Sequence, residues 1–202
     1  MTPRLDQQSF RQALGRFASG VTVVTTVING EDHAITASAF SSVSLDPPLV
    51  LVCVDHKNRF HPAVLAAGTW AVSVLAEPAQ GAATWFATRG RPLEGQLDKV
   101  EHRRGALTGA ALVGAALAWL ECRTTQVHAA GDHTIVVGEV IWAQVTDDTD
   151  DPLLYYRSHY AALLHSAASE KSMLALRDSI VEDAGVPLPE LRREAGETRV
   201  DE

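Results

Sequence analysis

VTVVTTV (residues 21–27), INGED (28–32) and HAITASAF (33–40) read as strand, turn and strand. The outer runs are rich in β-branched residues, which suit a pleated surface. Asn29-Gly30 between them is a strong signal for a tight hairpin. LVLVCVD (49–55) is the next strand, and its unbroken apolar character predicts burial on both faces. TWAVSVLA (69–76) follows, opened by Gly68. ALAWLECRTTQVHAA (116–130) and HTIVVGEVIWAQVTD (133–147) are two long strands joined by a Gly131-Asp132 turn. Helical spacing is confined to a few places. Phe10, Leu14 and Phe17 share a face in SFRQALGRFASG, with Ser9 placed to cap and Gly20 to stop. GAATWFATR (81–89) spaces Trp85 and Phe86 against Ala82 and Ala83. YYRSHYAALLHSAAS (155–169) predicts a C-terminal helix with Tyr156, Tyr160 and Leu164 on one face. RGRPLEGQLDKVEHRRG (89–105) reads as a charged loop. Many hairpin-linked strands and few helices make a mainly β, antiparallel barrel. The βαβ alternation of a Rossmann fold is missing, and no G-x-G-x-x-G follows a strand.

The bulk composition narrows the function. At 202 residues, 46% apolar and 21% charged, the chain suits one globular domain with an appendage. Its formal charge of −8 opposes nucleic-acid binding. MTPRLDQQSFRQAL has no apolar core of a secretory signal, and no stretch approaches the ~20 apolar residues that span a bilayer. The expected location is cytoplasmic. Cys53 and Cys122 lie in apolar strands and read as reduced, buried thiols. The eight histidines show no metal-ligand spacing, so no metal site is expected. Asp55-His56 and Asp132-His133 have the residue types of a hydrolase triad, but no serine sits in a G-x-S-x-G elbow.

Three stretches carry candidate chemistry. TASAFSSVSLDPP (36–48) gathers Thr36, Ser38, Ser41, Ser42 and Ser44 among small residues. Such clusters form turns and solvated strand faces. They also suit a ligand ring with several carbonyls and nitrogens, because hydroxyls donate and small side chains allow close approach. An isoalloxazine gains negative charge at its N1–C2=O edge when it accepts a hydride, and donors aimed there stabilise the reduced form. DHKNRFHP (55–62) offers Lys57, Asn58 and Arg59 for a phosphate, or is simply a solvated loop. In GDHTIVVGEV (131–140), His133 is a capping residue or an imidazole that positions a second cofactor, with Asp132 orienting it.

LGRFASGVTVVTT, ITASAFSSVSLDPPLVLVCVD, GTWAVSVLA, LECRTTQVHAAGDHTIVVGEV and PLLYYRSHYAAL occur in this order. In that combination the chain resembles the flavin reductase-like domain proteins, the small reductase components of two-component flavin-dependent monooxygenases. The resemblance spans about residues 9–164. It implies a Greek-key, FMN-binding type of split β-barrel with flanking helices, acting as a homodimer. It also implies hydride transfer from NADH, or less readily NADPH, to FMN or FAD. The reduced flavin would then diffuse to a monooxygenase partner. By position, Thr36, Ala37, Ser38, Ala39, Ser42, Val43 and Ser44 would line the flavin ring and ribityl chain. Cys53, Asp55, Lys57, Asn58, Arg59 and Phe60 would approach its phosphate. His133 would meet the nicotinamide, and Tyr156 and Arg157 would close the site or contact the dinucleotide. Ser38 stands where the family commonly has Asn, and HKNRF lacks the family's usual Ser or Thr. A non-catalytic flavin-binding module and a plain dimerisation domain are the other classes. Residues 1–165 would form the domain, and 166–202 a helical extension with a mobile tail.

Overall fold

The structure, a computed structural model, describes residues 5–146 and 150–163. In chain order the elements are α1 (Gln7–Leu14), β1 (Ser19–Gly20), β2 (Thr22–Ile28), β3 (Glu31–Ala37), β4 (Phe40–Leu45) and β5 (Pro48–Asp55). Then come α2 (Phe60–Ala67), β6 (Thr69–Leu75), a 3-10 turn (Glu77–Ala79), α3 (Gln80–Ala87), β7 (His102–Arg104) and β8 (Ala111–Val113). β9 (Ala116–Ala130), β10 (His133–Val145), β11 (Leu154–Tyr156) and β12 (His159–Ala161) complete it.

The chain is mainly β. Seven strands form one antiparallel sheet in the order β3-β2-β6-β9-β10-β5-β4. The strands at its two edges, β3 and β4, are consecutive in the chain and joined by Ser38-Ala39 alone. A flat sheet of seven strands would hold its edges about 29 Å apart. A two-residue link reaches no more than about 10 Å. The sheet therefore curls until its edges approach at that end, where the Cys53 N–H of β5 donates to the Ala39 carbonyl at 3.0 Å. The core records the same curl. Val24, Ala37, Val50, Trp70, Cys122 and Val136 belong to one buried cluster, with Phe40 packed against it, so all seven strands reach a common interior. Phe60 and Val64 of α2 are buried in that cluster too.

Local chemistry explains the turns. Asn29 and Gly30 take φ of 52° and 80°, the left-handed pair of a two-residue hairpin. Gly138 lies where a register shift interrupts the β9–β10 ladder. A Cβ there would sit 2.6 Å from the Trp70 ring, so glycine lets that buried indole pack against the strand. On the other side of the sheet, Phe86 of α3, Leu97 and Val113 of β8 build a second cluster with Val23 and Leu75. Among the described residues no helix is long and apolar enough to cross a membrane.

Four expectations are corrected. Residues 154–161 form a hairpin, not the start of a helix: Tyr155 pairs with Tyr160, and Arg157-Ser158 turn with φ of 51° and 65°. The four-residue spacing of Tyr156 and Tyr160 matches a helix by coincidence, since in the hairpin Tyr160 lies opposite Tyr155 and Tyr156 opposite His159. HAITASAF is two strands broken at Ser38-Ala39, since one straight strand could not serve both sheet edges. LVLVCVD buries one face: Val50, Val52 and Val54 point to the core while Leu49, Leu51 and Cys53 stay half-buried. The first helix is capped by Asp6, whose carboxylate accepts the Ser9 N–H, and it ends at Gly15, not Gly20. Leu164 and the expected extension at 166–202 lie outside the described residues.

Phe60 is fully buried at the joint between α2 and the sheet interior. Phe60→Ala is expected to lower the unfolding free energy by about 3–5 kcal/mol, measured by urea denaturation. A loss below about 1 kcal/mol would show that the ring does not anchor this end of the core.

Candidate functional site

Three chain segments meet at the end of the sheet where its edges approach. They are the outer edge of β3, the turn leaving β5, and the segment leaving α3. Between them lies a cavity of about 470 Å³ lined by Thr36, Asp55, Lys57, Asn58 and Arg59, together with Thr88, Arg89 and Arg91. The sequence suggested the first five. It missed the arginines after α3, although RGR beside a helix end was a visible concentration of charge.

The β5 turn is held by its own side chains. Asp55 Oδ1 accepts the Lys57 N–H at 2.8 Å, and Asn58 Oδ1 accepts the Phe60 N–H at 2.9 Å. These bonds turn Lys57 and Arg59 away from the core and start α2. Phe60 itself contributes no side chain to the cavity, because its ring is buried in the core. Arg59 reaches across the opening and donates to the carbonyls of Arg91 at 2.6 Å and Pro92 at 3.4 Å.

Arg91 donates to the carbonyls of Phe86 (2.8 Å) and Thr88 (3.2 Å), to Gln96 Oε1 (3.3 Å) and to the Ala34 carbonyl on the edge of β3. Burial, and then the neighbouring Arg59, push its guanidinium down to about 10, so it stays charged at neutral pH. Among the described residues no carboxylate comes within ion-pair distance of Lys57, Arg59, Arg89 or Arg91. Asp55 is the one acidic residue on the cavity wall, and its Oδ1 is engaged by the Lys57 backbone. Four cations thus surround a cavity in a chain of net charge −8. Such an arrangement takes an anion, with guanidiniums supplying forked donors and the ammonium a point charge.

The other suggested residues stand around this cavity or apart from it. Thr36 lines it, but its hydroxyl donates to the Ala83 carbonyl at 2.6 Å. Ala37 is buried. Ser38, Ala39, Ser42 and Val43 are exposed and Ser44 is half-buried, on or beside the edge strand β4. A register shift between Ser42 and Ser44 lets Val43 bulge from the β4–β5 ladder. The half-buried Cys53 thiol is pushed up by burial, and the buried Cys122 thiol is pushed up to about 12 by burial and then by Glu121. Both are unpaired thiols. His133 is directly opposite Asp55 in the β5–β10 ladder, so it stands one strand from the cavity. Its Nδ1 lies 2.7 Å from Asp132 Oδ1, and that hydrogen bond holds the Asp132 carboxyl below the usual range. The aspartate engages one ring nitrogen and so restricts rotation of the imidazole.

Tyr156 and Arg157 are not in this cavity. Arg157 packs 5.4 Å over the Tyr156 ring, and its N–H donates to the Gly15 carbonyl after α1. It borders a separate groove of about 640 Å³ with Arg11 and Arg16. A third cavity of about 520 Å³ contains Tyr155 and Tyr160 and shares Ala87 and Thr88 with the cationic one.

Comparison with known proteins identifies the family. Residues 14–164 match the family model described as flavin reductase like domain. An NADH-dependent FAD reductase of Streptomyces globisporus is 45% identical over 139 residues, which is 68% of this chain and 76% of that protein. The reductase component of 4-hydroxyphenylacetate 3-monooxygenase from Thermus thermophilus is 38% identical over 158 residues, 78% of this chain and 97% of that one. Among solved structures, BorF, the flavin reductase component of a bacterial two-component tryptophan halogenase, superposes with a TM-score of 0.75 at 43% identity, covering 80% of this chain and 100% of that one. The Streptomyces globisporus NADH:FAD oxidoreductase SgcE6, in complex with NAD and FAD fragments, gives 0.76 at 37% identity, covering 82% and 99%.

The raised thiols make a chemical prediction. At pH 7 a thiolate-selective alkylating reagent should modify Cys53 and Cys122 only slowly until the protein is unfolded. Rapid labelling of native Cys53, read by intact mass, would show that it sits in a cationic field the structure does not give it.

Proposed function

We propose, since the chain belongs to the flavin reductase-like domain family, that it is an NADH:flavin oxidoreductase. It transfers a hydride from NADH, with NADPH the poorer donor, to free FMN or FAD. It then releases the reduced flavin to a flavin-dependent monooxygenase. The observation that carries this reading is the cavity ringed by Lys57, Arg59, Arg89 and Arg91, none of them paired to a carboxylate among the described residues. It supplies a phosphate seat in an acidic chain, beside a hydroxyl-rich edge strand.

In this reading the curled sheet is a split barrel and residues 1–165 are the flavin-binding domain. A second copy completes a homodimer, for which the exposed Phe10, Leu14 and Phe17 offer apolar surface. The barrel works in the cytoplasm, and residues 166–202 are an extension to it. Thr36 to Ala39 and Ser42 to Ser44 border the isoalloxazine and ribityl chain. Cys53 to Arg59 lead to the phosphate. His133, held by Asp132, orients the nicotinamide. Tyr156 and Arg157, outside the cationic cavity, are left to contact the dinucleotide. Flavin supplies the electron-accepting ring. The protein's part is to hold two rings face to face and exclude water, so no strong base is required.

NADH consumption with added FMN, FAD or riboflavin tests the reading. The expected result is oxidation that saturates with flavin, with a kcat in the usual enzyme range of about 1–1000 per second. No flavin-dependent oxidation with either nicotinamide would overturn it. His133→Ala should raise the KM for NADH or lower kcat by about tenfold or more, because a misplaced donor loses orientation. Its flavin affinity should barely change; a large loss of flavin binding would move His133 to the other ligand.

A further inference from the structure

We infer that Arg91 is a positioning residue that sets how strongly the site grips its ligand's phosphate. The inference rests on the reading above. Arg91 is the hub of the segment between α3 and β7. One guanidinium bonds acceptors from three places: the edge of β3 (Ala34), the end of α3 (Phe86 and Thr88) and the following loop (Gln96). Gln96 is itself buried and donates to the Asp32 carbonyl two residues along the same edge. Arg91 and Gln96 thus occupy the carbonyls that a further strand would have taken.

Keeping a half-buried charge there costs free energy. Its Nε is buried without a partner, and no carboxylate compensates it among the described residues. A neutral residue of that size could not join three segments, since it lacks the planar fork of donors. What the arrangement secures is the direction of two main-chain carbonyls. Those of Arg91 and Pro92 receive the guanidinium of Arg59, which lines the cavity. Arg59 is otherwise a long, exposed side chain whose rotamer freedom would be lost on binding an anion. Tethered, it is already placed beside the cavity. The chain of dependence runs from Arg91 to the Thr88–Pro92 segment, then to Arg59, then to the bound phosphate. The hydroxyl-rich strand β4 receives none of Arg91's hydrogen bonds, so grip on the ring is separable from grip on the phosphate.

The test compares full-length wild type with Arg91→Met, Arg91→Lys, Arg59→Gln and the Arg59→Gln/Arg91→Met double variant. The first assay is calorimetric titration with inorganic pyrophosphate. Arg91→Met and Arg59→Gln are each expected to weaken binding by about tenfold. The double variant should be no weaker than Arg59→Gln alone, the signature of residues acting through one contact. Arg91→Lys should fail to rescue, because an ammonium cannot replace the fork. Unchanged pyrophosphate affinity in Arg91→Met, or additive losses in the double variant, would overturn the inference; so would a wild type that does not bind pyrophosphate.

The second assay is the ratio of KM for FMN to KM for riboflavin, expected to rise about tenfold in Arg91→Met. An equal rise for both flavins would mark an ordinary structural role and overturn it as well. A wild type that binds pyrophosphate yet oxidises no NADH with any flavin would sink the reductase reading, while the first assay still decides the role of Arg91. If Arg91→Met does not melt cooperatively, Arg91→Lys carries both assays.

Discussion

The two-residue link at Ser38-Ala39 is the constraint on which the molecule depends. It ties the first and last strands of a seven-stranded sheet together. Curvature follows from chain reach alone, before any side chain is considered. Curvature in turn makes one interior from seven strands and leaves β3 facing β4 without a hydrogen-bonded ladder between them among the described residues. A bare β3 edge would present unpaired carbonyls. The protein covers it with side chains, Arg91 and Gln96 on Ala34 and Asp32, and with the paired carboxylate of Asp32 on Arg104. The cavity is the space left between that side-chain cover and the end of β5.

The distribution of charge gives the cavity its character. Elsewhere, three arginines find carboxylate or ring partners. Arg104 forms two bonds to Asp32, Arg123 meets Glu139 at 3.2 Å, and Arg103 lies 5.0 and 5.3 Å over the rings of Trp119 and Trp142. Around the cavity, Lys57, Arg59, Arg89 and Arg91 meet no carboxylate among the described residues, although the chain carries eight more negative than positive charges. An anion arriving there relieves the repulsion between Arg59 and Arg91, a gain that adds to its direct hydrogen bonds. The same anion is repelled by most of the remaining surface, which narrows where it can settle.

Sequence carried the strands well, because their signals are local. Asn29-Gly30 and Gly131 adopt the left-handed conformations that tight turns require, and both hairpins form as the residues imply. It failed where two periodicities coincide or where a contact is distant. Tyr160 stands at helical spacing from Tyr156 and at hairpin spacing from Tyr155, and the left-handed pair Arg157-Ser158 lacks the glycine or asparagine that would have marked the turn. In LVLVCVD both faces are apolar, so alternation is invisible until the core is seen to lie on one side. Helix α2 is hard to read in DHKNRFHP, whose polar residues suit a ligand loop, although the Asn58 side chain accepts the Phe60 N–H at its start. Arg89 and Arg91 join Lys57 and Arg59 only through the fold, some thirty residues apart, and nothing in either stretch announces the other.

The hydroxyl-rich segment divides along the same line between local and distant. Thr36, on β3, spends its hydroxyl on the Ala83 carbonyl and belongs to the scaffold. The serines beyond the link stand on an edge strand with one open side and a bulge at Val43. An open edge is an aggregation hazard when its side chains are apolar. It is a poor ligand surface when they are charged, since ions hold their water strongly. Serine hydroxyls suit both conditions, because they hydrogen-bond water when the strand is bare and a polar ring edge when it is covered. A permanently bound cofactor would not demand that compromise, because its edge would never be bare. The composition of FSSVSL fits a ligand that arrives and leaves, as flavin does when it is a substrate.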